Sequence, residues 1–150
     1  MAVNVDTPSS DIVAGTPVAG RGMDGEGNLL AGSDRITKYD TELNVLSEWV
    51  SLGSGDGQFS VIHGIAIDSN GDVYATDTDN HRVQKFTSNG TLLLKWGSQG
   101  TANVQFDKPA GIGVDGDDNV YVLDEQNRRV QKFDASGNFL LKWGQEGSAN

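Results

Sequence analysis

Short apolar runs recur along the chain, and each is closed by a cluster of Gly, Asn, Asp or Ser. Gly64-Ile-Ala-Ile-Asp68 alternates large apolar residues with small or polar ones, the period of a strand with one more deeply packed face. Ser69-Asn-Gly71 follows as a turn, because Asn and Gly tolerate the positive φ of tight hairpins. Val73-Tyr-Ala-Thr76 reads as a second strand, Arg82-Val-Gln-Lys-Phe86 as a third and Thr91-Leu-Leu-Leu-Lys-Trp96 as a fourth, each rich in β-branched or large apolar residues. Ser88-Asn-Gly90 turns the third into the fourth. The same plan returns in Gly111 to Asp115, Val120 to Leu123, Arg129 to Phe133 and Phe139 to Trp143. No segment carries a sustained helical period with caps, so the pattern predicts an all-β protein.

The pattern is a repeat. Trp49, Trp96 and Trp143 recur every 47 residues, and a fixed period of about 20 to 50 residues marks a solenoid, a propeller or an array. Asp77-Thr-Asp-Asn80-His-Arg82-Val-Gln-Lys-Phe86 returns as Asp124-Glu-Gln-Asn127-Arg-Arg129-Val-Gln-Lys-Phe133 and, eroded, as Arg35-Ile-Thr-Lys38-Tyr39. Four short antiparallel strands per repeat describe the blade of a β-propeller. Three blades are expected, at about 18–50, 62–97 and 109–144, with 145–150 as a truncated linker. Residues 1–17 match no full repeat and are a candidate closing segment; Ile12-Val-Ala14 is expected as a short strand. Blades bury both faces, so Leu92-Leu-Leu94 and Phe139-Leu-Leu141 are expected to be packed on either side.

Gly64-Ile-Ala-Ile-Asp, Gly71-Asp-Val-Tyr, Asp77 with Asn80-His-Arg-Val-Gln-Lys-Phe, and Trp96-Gly97 are together similar to the NHL repeat. The resemblance covers about 18–150 and is strongest in the second and third repeats. It implies a propeller, usually six-bladed, with the first strand of each blade lining the axis. Three blades do not close a ring, and Gly144-Gln-Glu-Gly-Ser-Ala-Asn150 restates Gly97-Ser-Gln-Gly-Thr-Ala-Asn103. The expectation is therefore a fragment of a longer propeller or a half that closes as a dimer, since an open arc exposes apolar blade faces.

Composition narrows the function. The 150 residues carry a formal charge of −10, which removes the basic footprint of a nucleic-acid binder and disfavours an anionic membrane surface. The absence of cysteine rules out a disulfide framework and a thiolate site, and leaves the compartment open. An extracellular or cell-surface setting is slightly favoured over a cytoplasmic one. The N-terminal residues lack the basic and apolar regions of a signal peptide. No nucleophile elbow or phosphate-cradling glycine motif stands in a strand-to-helix setting.

Residues that recur in every repeat are assigned to the frame; those that break it are the candidates. Asp77 and Asp124 are expected in Asx-type turns, with Arg82 and Arg129 as ion-pair partners between blades. His63 stands where the third repeat has Ala110, at the start of an inner strand and so at the channel mouth. Phe59-Ser-Val-Ile-His63-Gly64 resembles the segment that bears a zinc-binding histidine in the propeller lyase of peptide amidation. That resemblance implies zinc at His63, with the other ligands still to be supplied, because a catalytic zinc generally takes three protein ligands. Arg21 replaces Ile65 and Ile112 and is read as a buried arginine needing a partner, or as an anion-binding group at the channel rim. Asp115-Gly-Asp117-Asp118 resembles a calcium loop but lacks its glycine and its bidentate Glu, so a polar turn is the plainer reading. His81 is read as a solvated loop residue. Together these features suggest a non-enzymatic module binding a protein, peptide or glycan, or a structural or adhesive scaffold, with self-association if no further blades are attached. The alternative is a metal-dependent lyase or hydrolase with most of its site elsewhere.

Overall fold

In the computed structural model of the protein, the described residues are 20–32, 35–49 and 51–144. The expected strand at Ile12-Val-Ala14 and the linker 145–150 lie outside them. Three four-stranded antiparallel meanders follow one another. The first contains β1 (Gly20–Met23), β2 (Leu29–Gly32), β3 (Ile36–Tyr39) and β4 (Val45–Trp49). Next come the two-residue strands β5 (Ser51–Leu52) and β6 (Gln58–Phe59), then β7 (Ile62–Ile67), β8 (Val73–Asp77), β9 (Arg82–Phe86) and β10 (Leu92–Trp96). Short strands β11 (Ser98–Gln99) and β12 (Gln105–Phe106) lead to β13 (Pro109–Val114), β14 (Val120–Asp124), β15 (Arg129–Phe133) and β16 (Phe139–Gly144). These are the blades of a β-propeller, as the repeat predicts.

The core lies between the sheets rather than within any one of them. Leu30 and Ile36 of the first blade meet Phe59, Ile62, Ile65, Val73, Ala75 and Phe86 of the second, with Trp49 packed alongside. Tyr74, Val83 and Trp96 on the opposite face of the second blade meet Phe106, Val120, Val122 and Phe133 of the third. Each blade therefore has an entry face, which receives the preceding blade, and an exit face, which presents its tryptophan to the next. Since burial of apolar surface dominates folding, a blade draws most of its stability from its neighbours.

Inner strands lie side by side, β1 against β7 and β7 against β13. Glycine permits this close approach: a Cβ on Gly64 would lie 2.5 Å from the Ala110 carbonyl oxygen. The outermost strands are less enclosed than their leucine runs suggest, for Leu93 and Leu140 are both exposed while Leu92 and Leu94 are half-buried.

Candidate functional site

The recurring Asp, Asn, Arg and Gln residues form a buried clamp on the linker that enters their own blade. In the second blade the Asp77 carboxylate, with no exposed surface, accepts hydrogen bonds from Ser60 N at 3.0 Å, Asn80 Nδ2 at 3.0 Å and Arg82 Nε at 2.7 Å. Arg82 also donates to the carbonyls of Gly55 (2.7 Å) and Gln58 (2.9 Å), and Asn80 to that of Gly53 at 3.0 Å. Gln84 closes the set, accepting from Gly57 N at 2.9 Å and donating to Gln58 O at 2.7 Å. In the third blade Asp124, Asn127, Arg129 and Gln131 hold residues 100–105 in the same way. The ion pair expected between blades is thus within a blade, and its work is to fix the incoming loop. The first blade keeps Arg35 but has Thr37 where the others have Gln84 and Gln131, and Thr37 bonds Glu48 instead.

His63 sits where strand pairing slips. Ile62 pairs with Asp77 and Ile65 with Ala75, so His63 and Gly64 together oppose the single residue Thr76, a bulge of the kind that re-aims a side chain. Thr76 Oγ1 accepts from Gly64 N at 2.9 Å and donates to Ala110 O at 2.7 Å, stapling the bulge to the next blade. The His63 ring is exposed, but its Nδ1 lies 2.8 Å from Thr78 Oγ1, whose hydroxyl donates to Pro109 O at 2.7 Å. A hydroxyl has one proton to give. Thr78 therefore accepts from His63 and Nδ1 carries the hydrogen, so that in the neutral form of the ring the lone pair lies on Nε2. At the same rim Lys108 Nζ pairs with Asp79 at 2.6 Å, both side chains about half exposed.

The remaining candidates lie apart from His63. Side chains alternate across a strand, and positions 20 and 22 face β7, where their Cβ atoms would touch Ile62 and Ile67. Arg21 between them faces the other way, toward the side on which Ile65 and Ile112 each meet the blade before their own, and is exposed, contrary to the expectation of a buried charge, because no blade precedes the first among the described residues. Asp115, Asp117 and Asp118 occupy the turn at the far end of β13, on the opposite rim from His63. Asp115 accepts from Asp117 N, Asn119 N and Tyr121 Oη; these bonds, led by the one from Asn119 N, hold its pKa below the ordinary carboxylate value. Asp118 accepts from the hydroxyl of Ser69 and from Ser69 N at 2.9 Å, joining the second and third blades, and its pKa is likewise lowered by those two bonds. Among the described residues no three His, Cys, Asp or Glu side chains converge as a metal site.

His81 was not marked by the sequence as anything but a solvated loop residue. It is half-buried at the junction of the second and third blades, where its Nδ1 accepts from Lys108 N at 3.2 Å. On the rim away from His63, a cleft of about 330 Å³ opens between the first two blades, lined by Asp24, Glu26, Lys38, Asp68, Ser69 and Ser88. Lys38 is paired there with Asp24 at 2.9 Å. At the equivalent place between the second and third blades, Tyr74 Oη bonds Asp68 and reaches Ala135 O at 3.3 Å. The first blade has Leu30 in that position, so no hydroxyl bridges the gap.

A family model described as NHL repeat matches residues 59–86 and 106–133. No match was found among curated protein sequences. Among solved structures, a streptogramin B lyase is 19% identical over 96% of this chain and 44% of its own length, with a TM-score of 0.67. A virginiamycin B lyase from Staphylococcus aureus is 14% identical over 87% of this chain and 42% of its own, TM-score 0.66. A regucalcin from Agrobacterium tumefaciens, titled a calcium-binding protein, is 17% identical over 85% and 45%, TM-score 0.59. The chain spans less than half the length of each, and the likeness is one of fold.

Proposed function

This chain carries NHL repeats as blades of a β-propeller, and from that premise we propose that it is a non-enzymatic recognition module whose rim around His63 binds a peptide segment of a protein partner. One observation carries the reading: the repeated charged groups are consumed in backbone clamps, whereas His63, which breaks the repeat, is exposed with its tautomer set by Thr78. A rigid frame presenting loop and rim residues suits recognition. An Nε2 acceptor on the exposed His63 ring, beside the exposed Lys108 and Asp79 pair, matches the alternating donors and acceptors of a peptide better than the aromatic platform of a glycan site. Among the described residues the one highly exposed aromatic is Trp143, which lies on a sheet face rather than this rim. The test is binding to a peptide array by the wild type and by His63→Ala. Captured sequences should lose about tenfold in affinity in the variant, the equivalent of roughly 1.4 kcal/mol; unchanged affinity for every captured peptide would refute the rim as the binding surface.

A second reading as a metal-dependent lyase draws on the same ring. A histidine whose Nδ1–H is held by a neighbour offers Nε2 in the manner of an oriented metal ligand, and two of the similar structures are lyases. The described residues do not complete such a site, since no three His, Asp or Glu side chains converge among them. Stoichiometric zinc retained by the wild type and lost in His63→Ala would favour this reading over the first.

A further inference from the structure

The turn between β8 and β9 grips the next blade at three points. Thr78 donates its hydroxyl to Pro109 O at 2.7 Å, Asp79 Oδ1 lies 2.6 Å from Lys108 Nζ, and His81 Nδ1 lies 3.2 Å from Lys108 N. All three fall on one dipeptide, Lys108-Pro109, where the chain enters β13. The grip is peculiar to this joint among the described residues. The third blade has Glu125, Gln126 and Arg128 at the three positions, and an arginine has no lone pair to offer an N–H. In the first blade two residues separate Gly32 from Arg35, where five separate Thr76 from Arg82, so the gripping loop is cut short.

The gripped dipeptide is held in an uncommon conformation. Lys108 stands at φ 58°, whereas its counterpart Val61 is not left-handed, and a proline next in the chain favours extended backbone before it. The bond that holds Lys108 there is conditional. Its N–H is a donor, so His81 Nδ1 must supply a lone pair and the ring must be neutral, with its hydrogen on Nε2. His63 is the reverse case: its hydrogen is on Nδ1, and a second proton on Nε2 leaves the Thr78 bond in place. The charged groups about His81 are few. Asp107 Oδ1 lies 3.6 Å from Nδ1, and the Lys108 ammonium is turned to Asp79. Arg82, next in the chain, is taken up by Asp77, and Gly97, which adjoins the His81 carbonyl, brings no charge.

We propose that His81 is a proton-sensitive latch on the entrance to the third blade. A proton taken up on Nδ1 makes the ring a donor there; it loses the Lys108 N–H and turns to the Asp107 carboxylate. Lys108 then leaves the left-handed conformation, Pro109 O shifts relative to Thr78, and the hydroxyl that orders the His63 ring loses its acceptor. Imidazole is the side chain that titrates between pH 5 and 8, so the latch responds near neutral pH. The proposal is independent of the peptide-binding reading, because it is read on the fold of the unliganded chain.

The test is an NMR titration of the isotope-labelled 150-residue chain from about pH 8 to 5, following the imidazole nitrogens and the exchange protection of the Lys108 amide. At the alkaline end His81 should carry its hydrogen on Nε2 and His63 on Nδ1. Lys108 protection should fall about tenfold with the midpoint of His81 rather than that of His63, and the His63 Nδ1 resonance should show an added inflection at that midpoint. His81→Asn should keep the amide protected throughout, since Oδ1 stands in for Nδ1 without titrating and Asn accepts the left-handed backbone at φ 55°. His81→Arg, which copies Arg128 at φ 54°, should leave the amide unprotected at every pH. A His81 hydrogen on Nδ1 at the alkaline end, Lys108 protection that does not follow the His81 midpoint, or the same loss in His81→Asn would overturn the proposal. Should a variant not fold, the wild-type titration decides alone.

Discussion

Asp77 and Asp124 have no exposed surface, and each faces a buried arginine guanidinium at 2.7 Å. Removing one partner of such a pair leaves an uncompensated charge in a poorly solvated place. Asp77→Asn should therefore lower stability by about 3–5 kcal/mol in urea denaturation, while Asp79→Asn, at an exposed pair, should stay within about 0.5 kcal/mol. The Ser69 to Asp118 link gives a pH signature. Because bonds from the Ser69 hydroxyl and N–H lower the folded-state pKa of Asp118, its contribution is complete above the unfolded value of about 3.9 and is lost as pH falls through the depressed value. Ser69→Ala should move the Asp118 carboxyl titration upward, toward its ordinary value, in a carbon-detected NMR titration. The clamp residues were legible in the sequence as frame, since they recur. Their target was not, because the carbonyls of Gly53, Gly55 and Gln58 carry no side-chain signature. Arg21 misled for a related reason: Ile65 and Ile112 pack on glycines of the blade before their own, and no such blade faces Arg21 among the described residues.

At the level of strands, alternation and turn residues placed β7 to β10 and β13 to β16 to within a few residues of where they lie, because local pattern and local structure agree there. Two features needed tertiary geometry. The bulge that aims His63 depends on Thr76 bonding a neighbouring blade, and Gly90 and Gly137, which lie against Trp49 and Trp96 of the preceding blade, have the same appearance in sequence as any hairpin glycine. The Trp96 contact can be probed directly. Gly137→Ala puts a Cβ 2.9 Å from the Trp96 ring at φ 79° and should cost about 1–3 kcal/mol by overpacking. Gly71→Ala, at φ 82° with Ser88 Cβ no nearer than 3.9 Å to the new atom, should cost about 1 kcal/mol, from the left-handed backbone alone. Denaturant midpoints at constant slope would separate the two; equal effects would show that turn conformation rather than the tryptophan contact sets the cost.

Across the whole molecule, repeats stabilised by neighbours should differ in local stability according to how many neighbours each has. β10 and β16 are near-copies in sequence, yet β10 ends on the buried Trp96 and β16 is exposed along most of its length. Amide hydrogen exchange should accordingly be faster in β16 than in β10; equal protection would mean that stability is set within blades. The clamp adds a consequence for how such arrays grow. Since the linkers into the second and third blades are each gripped by Asp, Asn, Arg and Gln of the blade they lead into, a duplicated segment running from linker to fourth strand carries both the latch and the loop it fastens. Copying that segment inserts a blade whose entrance is already secured, so that what is left to match is the pair of apolar faces on either side of it.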